Sequence, residues 1–163
     1  MAKYAEGTTV SVADSKQEIE RTIKRYGGDM VSFGWGNERT AVIGFRHSER
    51  FVRIEVSLPG IEDPEFAKQG FRDSTPAEKQ KRFDMEEKRR WRVALLRIKA
   101  KLELVQDGTP FSEEFMPYLM LPEGGTVKSQ IMSRIDEEYQ TGHTPSLDFN
   151  APRFVALPEG RTE

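Results

Sequence analysis

The feature that most constrains the fold of this chain is a long helical segment, predicted over residues 76–106. Thr75 is a residue type favoured at the N-cap, Pro76 is favoured at the first helical position, and Glu78 is favoured at the third. Gly108 supplies the signal for the end of the helix. The rest of the predicted structure is arranged around this element.

The second half of the helix is apolar on two sides. At about 100° per residue, one stripe consists of Trp91, Leu95, Ile98, Leu102 and Val105. The opposite side carries Val93, Leu96, Ala100 and Leu104. This pattern is typical of a helix held between two layers. We expect a sheet on one side and the C-terminal helices on the other, with a second copy of the chain in a homodimer as the alternative.

The first half of the helix is basic and nearly without apolar residues, so we expect residues 76–90 to project into solvent. One hypothesis makes this half a docking surface for a partner or for phosphates. The alternative is an ordinary solvated helix with pairs such as Asp84 with Lys88 and Glu86 with Arg90. The candidate partner-binding residues here are Lys79, Lys81, Arg82, Lys88, Arg89 and Arg90.

Three runs of alternating apolar residues between the helices predict an antiparallel meander with one buried face. The runs are Val31, Phe33 and Trp35; Ala41, Ile43 and Phe45; and Val52, Ile54, Val56 and Leu58. We therefore expect Phe33 and Trp35 in the core. Phe51 and Arg53 have the opposite register, so Phe51 is expected to be exposed.

The remaining segments complete an α+β fold in which a small antiparallel sheet packs on the long amphipathic helix. We predict a short strand at 8–12, a helix at 15–26 with a capping box from Ser15 to Glu18, and a loop at 60–75. C-terminal helices are expected up to Phe115 and from Thr126 to Gln140. Residues 1–145 then form a single α+β domain, and residues 146–163 an irregular C-terminal tail.

Composition bounds the cellular setting. The chain has 163 residues, which is typical of one domain, and no cysteine, which excludes disulfides and zinc–thiolate sites. We find neither a signal-peptide pattern nor an apolar run of the length that spans a membrane, about 18 residues. We therefore expect a cytosolic protein, bacterial or expressed in a bacterial-like compartment, without contact with the membrane.

Charge is distributed unevenly along the chain. The net charge is −2, yet residues 76–106 carry ten basic and five acidic side chains, and residues 107–163 carry four basic and ten acidic ones. Such asymmetry can mark a basic docking surface for nucleic acid or for an acidic partner. The alternative is that the acidic C-terminal part folds over the basic helix.

No motif in the sequence predicts catalysis, a metal site or a cofactor. We expect His47 and His143 to be surface residues, because neither belongs to a pattern of metal ligands. The carboxylate pairs at 113–114 and 137–138 are sequence neighbours on helices, so their side chains diverge instead of converging across a cleft. We expect a protein that is not an enzyme; a dispersed acidic active site is the residual alternative.

The sheet adds a second candidate surface for a partner. The exposed ring of Phe51 lies among arginines in the sequence, and aromatic rings beside cations are typical of surfaces that bind single-stranded nucleic acid. The residues of this patch are Arg46, Arg50, Phe51 and Arg53.

Several short motifs resemble those of a family of small, uncharacterised proteins encoded in bacteriophage and prophage genomes. They include Tyr4-Ala-Glu-Gly-Thr, Arg90-Trp91-Arg92, Ile98-Lys-Ala-Lys-Leu-Glu103, Glu113-Glu114-Phe115, Leu121-Pro-Glu-Gly124 and Tyr139-Gln-Thr-Gly142. The resemblance covers most of residues 3–145. It implies a phage setting and no particular activity, because the family has no established one.

Two hypotheses of function follow. The first is a non-catalytic phage-type protein that binds a host or phage macromolecule, for example an inhibitor of a bacterial defence complex such as a CRISPR effector. The second is a nucleic-acid-binding protein of phage replication or recombination. The order helix, three strands, helix resembles the double-stranded-RNA-binding layout, but the acidic net charge and the lack of a lysine pair at the start of the second helix weigh against it.

Overall fold

The computed structural model describes residues 3–70 and 72–142, and these form an α+β fold, which confirms the predicted class. The elements in chain order are α1 (Val12–Arg25), β1 (Asp29–Asn37), β2 (Thr40–His47), β3 (Arg50–Ser57), α2 (Pro64–Ala67), β4 (Lys68–Gln69), β5 (Arg72–Asp73), α3 (Pro76–Gln106), α4 (Phe111–Glu114), a 3₁₀ turn (Met116–Tyr118) and α5 (Val127–Gln140). The chain divides into two units, residues 1–130 and residues 131–163.

The main sheet is the predicted meander, with the strand order β1-β2-β3 and antiparallel pairing throughout. Strands β2 and β3 pair without interruption from His47 with Arg50 to Thr40 with Ser57. Because side chains alternate between the faces of a strand, this register collects one apolar face. Its buried members are Ala41, Ile43, Phe45, Val52, Ile54, Val56 and Leu58, as predicted.

Helix α3 packs on this face with the stripe that the sequence predicts. Trp91, Leu95, Ile98 and Leu102 are buried. The capping box is confirmed, because the Thr75 side chain accepts a hydrogen bond from the Glu78 amide and the Glu78 carboxylate accepts one from the Thr75 amide. This cap satisfies amides that the first turn of any helix leaves without partners.

The outer side of α3 does not match the prediction. Leu96, Ala100 and Leu104 are exposed, so the expected second layer does not cover them. Among the described residues, the expected cover of this side by the C-terminal helices is therefore wrong, and the alternative of a second copy of the chain stays a prediction. Helical periodicity identifies the apolar side chains that can be buried together. In α3, only the stripe that begins with Trp91 is buried.

The first half of α3 is also more covered than predicted. Residues 60–75, predicted as a loop, contain α2 and the β4–β5 ribbon. Phe66 of α2 is buried and packs edge-to-face on Phe83 of α3, with ring centroids 6.1 Å apart. The expectation that residues 76–90 project into solvent is therefore correct only in part: none of them is buried, but α2 packs against Phe83. The periodicity of α2 is too weak for this short helix to be recognised in the sequence.

Helix α1 begins earlier than predicted, and the strand predicted at residues 8–12 is absent. The N-cap is Ser11, whose hydroxyl accepts from the Asp14 amide at 3.0 Å. Ser15, the predicted cap, is buried one turn into the helix and donates to the Ser11 carbonyl oxygen. Two serines four residues apart offer two N-caps, and the earlier one is used. Ile19 and Ile23 are buried as expected.

Trp35 is 65% exposed, so its predicted place in the core is wrong, and Phe33 is only half-buried. Trp35 has the inward register, opposite Ala41, but it lies near the end of the edge strand β1. Phe33, earlier in the strand, contacts Trp91 edge-to-face with centroids 6.1 Å apart. The alternation of apolar residues therefore predicts correctly which face of β1 carries Trp35. Trp35 is exposed because the layer that covers this face does not extend to the end of the strand.

The short helix after residue 110 and the helix from Thr126 to Gln140 are confirmed. In α5, Ile131 and Ile135 are exposed. The predicted boundary at residue 145 stays a prediction, because that boundary and the tail at 146–163 lie outside the described residues.

Two adjacent leucines of α3 test this architecture. Leu95 is 4% exposed and Leu96 is 44% exposed. We expect Leu95→Ala to lower the free energy of unfolding by about 2–5 kcal/mol, because it leaves a cavity in the core. Leu96→Ala, the matched control, should cost less than about 1 kcal/mol when unfolding is measured at a concentration where the chain is monomeric. Urea unfolding measures both, and equal losses would contradict the orientation of α3.

Candidate functional site

The basic side chains predicted at the start of α3 are largely engaged within the chain. The Lys79 ammonium lies 2.6 Å from a Glu62 carboxylate oxygen. Arg82 donates to the carbonyl oxygens of Lys68 and Glu65. These contacts attach α2 and the β4–β5 ribbon to the helix, so Lys79 and Arg82 have a structural role.

Arg89 and Arg90 share one carboxylate. Both donate to Glu86, at 2.6 and 2.7 Å. The Arg89 guanidinium, followed by that of Arg90, holds the pKa of Glu86 below its usual range. The Glu86–Arg90 pair expected for an ordinary helix is therefore present. The expected pair of Asp84 with Lys88 is not formed, and the Asp84 carboxylate instead accepts a hydrogen bond from Gln80.

Lys81 and Lys88 are the remaining members of that set. With Met85 and Thr8 they line a shallow cleft of about 640 Å³ between α3 and the N-terminal segment. Neither forms an ion pair with another described residue. The structure thus leaves two of the six helical candidates available to a partner, on one cleft.

The sheet patch is also divided. Arg46 binds Asp29 through two hydrogen bonds of 2.8 and 2.6 Å, and this pairing lowers the pKa of the Asp29 carboxyl. Arg53 lies 3.3 Å from Glu55. Arg50 has no ion-pair partner among the described residues, and Phe51 is 48% exposed, as predicted. Of this patch, Arg50 and Phe51 line one cleft together.

That cleft, which we call the apolar groove, is the candidate functional site. It has a volume of about 620 Å³. One wall is the start of β3 and the other is the segment that leads to α5. Its lining residues are Glu49, Arg50, Phe51, Leu119, Met120, Leu121, Pro122 and Val127.

Backbone hydrogen bonds fix both walls. The Met120 amide donates to the Phe51 carbonyl oxygen at 2.8 Å and joins the two walls, and the Val127 amide donates to the Leu119 carbonyl oxygen at 3.0 Å within the second wall. Between these points the chain turns through Gly124 and Gly125, both at positive φ, where a side chain would be strained. The groove is therefore fixed by main-chain geometry on both sides.

The sequence does not predict the wall of the apolar groove that the segment leading to α5 forms. The apolar run from Tyr118 to Leu121 is visible in the sequence, and so is the outward register of Phe51. Nothing in the sequence shows that Leu119 forms a bridge with Val52, more than 60 positions away. A short apolar run between two turn signals, without helical or strand periodicity, is the one signal that pointed to it.

His47 is a packing residue instead of a free surface histidine. Its ring stacks on Phe111 with centroids 4.2 Å apart, and Nε2 lies 3.0 Å from the Tyr26 carbonyl oxygen. His143 lies outside the described residues. Among residues 3–70 and 72–142, no group of three or more histidine or carboxylate side chains is arranged to hold a metal ion.

Comparisons with protein-family models, with curated proteins and with solved structures find no match for this chain. No helix in the described part of the chain is long and apolar enough to cross a membrane. The resemblance to phage-encoded proteins therefore stays a prediction, and the apolar groove has to be judged on its own geometry.

The start of α3 should respond to acid through Glu78. Hydrogen bonds from Arg72 and from the Thr75 amide lower the pKa of this carboxyl from 4.5 to about 2. A lowered pKa stabilises the fold at pH values above 4.5, and this contribution is lost as the pH falls toward 2.

We therefore expect Glu78→Gln to be less stable than the unmodified chain at pH 7, and the gap to close as the pH falls from 4.5 to about 2. Thermal or urea unfolding across this range measures the gap. A gap that is constant with pH would show that the Glu78 charge does not stabilise the cap.

Proposed function

We propose that the chain is a non-catalytic binding protein of bacteriophage type that acts in the cytoplasm of the bacterial host. In its specific form, the partner is a protein complex of bacterial defence, such as a CRISPR effector, and binding inhibits that complex. The apolar groove carries this proposal, and the resemblance of several short motifs to phage-encoded proteins supports its setting.

The groove has the composition of a protein-binding surface. Phe51 and Met120 are 48% and 42% exposed although both are large and apolar. Exposed apolar clusters with a polar rim are typical of interaction sites, and aromatic, methionine and arginine side chains are enriched there. Arg50 and Glu49 supply such a rim. A partner that inserts an apolar side chain between Phe51 and Met120 would remove both from water.

The pattern of ion pairs favours a protein partner over nucleic acid. Binding to phosphates needs several cations that are free to exchange their counterions. Lys79, Arg89, Arg90 and Arg46 are already paired with carboxylates. A phosphate backbone would have to compete with each pair, so among the predicted candidates the nucleic-acid alternative rests on Lys81, Lys88 and Arg50, which form no ion pair with a described residue, and on Phe51.

Inhibition of a defence complex is tested in bacteria that carry one CRISPR effector type each and are infected with a targeted phage. We expect the chain to restore plaque formation against at least one type. Phe51→Asp should weaken binding to that purified effector about 30-fold or more, because losing a central aromatic anchor costs about 2 kcal/mol. Calorimetry measures the affinity, and plaque counts measure the activity.

Trp35→Asp is the matched control, because it places the same charge on another exposed aromatic residue that lies outside the apolar groove. It should leave both plaque formation and affinity unchanged. If the chain restores plaque formation against none of the effector types, the inhibitor proposal is overturned. Tight, salt-dependent binding of single-stranded DNA that Phe51→Asp abolishes would favour the nucleic-acid alternative instead.

The uncovered outer stripe of α3 supports a second partner surface, through which two copies of the chain form a homodimer. Leu96 and Leu104 lie two turns apart and are 44% and 46% exposed. Ala100, between them, allows close approach of a second helix. Two such stripes packed against each other would bury apolar side chains that one copy leaves in water.

Sedimentation velocity tests the homodimer directly. We expect the unmodified chain to sediment as a dimer and the double variant Leu96→Glu with Leu104→Glu to sediment as a folded monomer, because charges in the stripe prevent its burial. If the unmodified chain stays monomeric at every concentration that can be measured, the outer stripe of α3 does not mediate self-association.

A further inference from the structure

The outer edge of β3 is covered over only half of its length. The Phe51 carbonyl oxygen accepts from Met120, while the Leu58 amide at the other end donates to Arg39, on the side of β2. Because the backbone groups of successive strand residues point to opposite sides, Glu55 and Ser57 direct their amides and carbonyls to the outer edge, as Phe51 does. No described residue forms a backbone hydrogen bond with them there.

This open half is regular, unlike the other edge of the sheet. Strand β1 has irregularities between Asp29 and Ser32 and between Trp35 and Asn37, and such bulges discourage the addition of a further strand. Strand β3 pairs with β2 in unbroken register up to Ser57. A regular edge with free amides and carbonyls is a template for one more strand.

A basic groove runs along the open edge of β3. Two adjoining cavities of about 230 and 290 Å³ share Glu55, Arg97 and Lys128 in their walls. Arg90 belongs to the first cavity and Arg53 to the second. Four cations and one carboxylate therefore surround the edge, and the field in this concave surface is positive.

Arg97 and Lys128 are the available cations of the basic groove. Neither forms an ion pair with another described residue, whereas Arg90 is paired with Glu86 and Arg53 with Glu55. Lys128 is the second residue of α5, and the amides of a helix N-terminus add to the positive potential. These two side chains can accept the charge of a ligand without breaking an existing contact.

We propose that the open edge of β3 binds an acidic peptide segment in extended conformation. The segment pairs with the backbone of Glu55 and Ser57 as a fourth strand, and its carboxylates lie beside Arg97 and Lys128. A peptide suits the groove better than a nucleic acid, because the edge offers both donors and acceptors and phosphates can only accept. The inference goes beyond the proposed function and does not depend on the apolar groove.

The test uses a fluorescent synthetic peptide of alternating aspartate and valine residues, titrated with the full chain and followed by fluorescence anisotropy. We expect saturable binding that weakens with salt. The double variant Arg97→Glu with Lys128→Glu should bind about tenfold or more weakly, because both charge contacts become repulsive. The matched control, Lys81→Glu with Lys99→Glu, makes the same change of charge elsewhere on α3 and should bind normally.

A second peptide isolates strand pairing and leaves the protein unchanged. It has the same sequence with alternate amides N-methylated, so it keeps its charge and loses the donors that a strand needs. We expect it to bind about tenfold or more weakly than the first. Equal binding of the two peptides would overturn the proposal, because charge alone would then explain the affinity.

Two further outcomes would also overturn it. One is no binding of the first peptide at any concentration that can be reached. The other is displacement of that peptide by single-stranded DNA of equal charge at lower concentration than by the unlabelled peptide. Because none of these measurements uses Phe51, Met120 or a defence complex, their failure leaves the inhibitor proposal to be decided by its own assays.

Discussion

The packing of one face of α3 on the inward face of the sheet is the interaction on which the rest of the structure depends. Trp91 is its centre: it is buried, Phe33 contacts its ring from the edge strand, and the Lys16 ammonium of α1 lies 4.6 Å from the ring centroid. This packing removes large apolar side chains from water, which is the dominant favourable contribution to folding. It also sets α3 beside the outer edge of β3, so the basic groove exists because the core packs this way.

The excess of positive charge on α3 does not become a uniformly basic surface. Glu62, Glu86 and the carbonyl oxygens of Lys68 and Glu65 neutralise or occupy four of its basic side chains. At exposed positions such pairs add little stability, but they lower the number of cations open to a polyanion. The surfaces that stand out are defined by shape and by unpaired groups: the apolar groove at one end of β3 and the basic groove at the other.

Both grooves exist because the outer edge of β3 is paired over only part of its length. The chain returns after α4 to pair Leu119 with Val52, and this one bridge covers the first half of β3. Beyond this bridge, no described residue pairs with the outward main-chain donors and acceptors of β3. Beside the bridge, Met120 and Phe51 lie on the surface. Edges left open are costly for a protein in solution, since they invite pairing with other chains. An edge that is kept open and lined with cations is thus suited to selective pairing.

The sequence by itself determined the features that depend on interactions between residues close together in the chain. The cap at Thr75, the stripe from Trp91 to Leu102 and the alternation in β2 and β3 depend on neighbours within a few residues, and the structure confirms them. Only the tertiary structure decided which apolar groups are covered. Leu96 and Trp35 have the same local patterns as buried residues, and they are exposed because no other segment among residues 3–70 and 72–142 covers them. The same holds for the grooves: Leu119 and Val52, or Lys128 and Arg97, meet through contacts between segments far apart in the chain, and such contacts leave no periodic trace in the sequence.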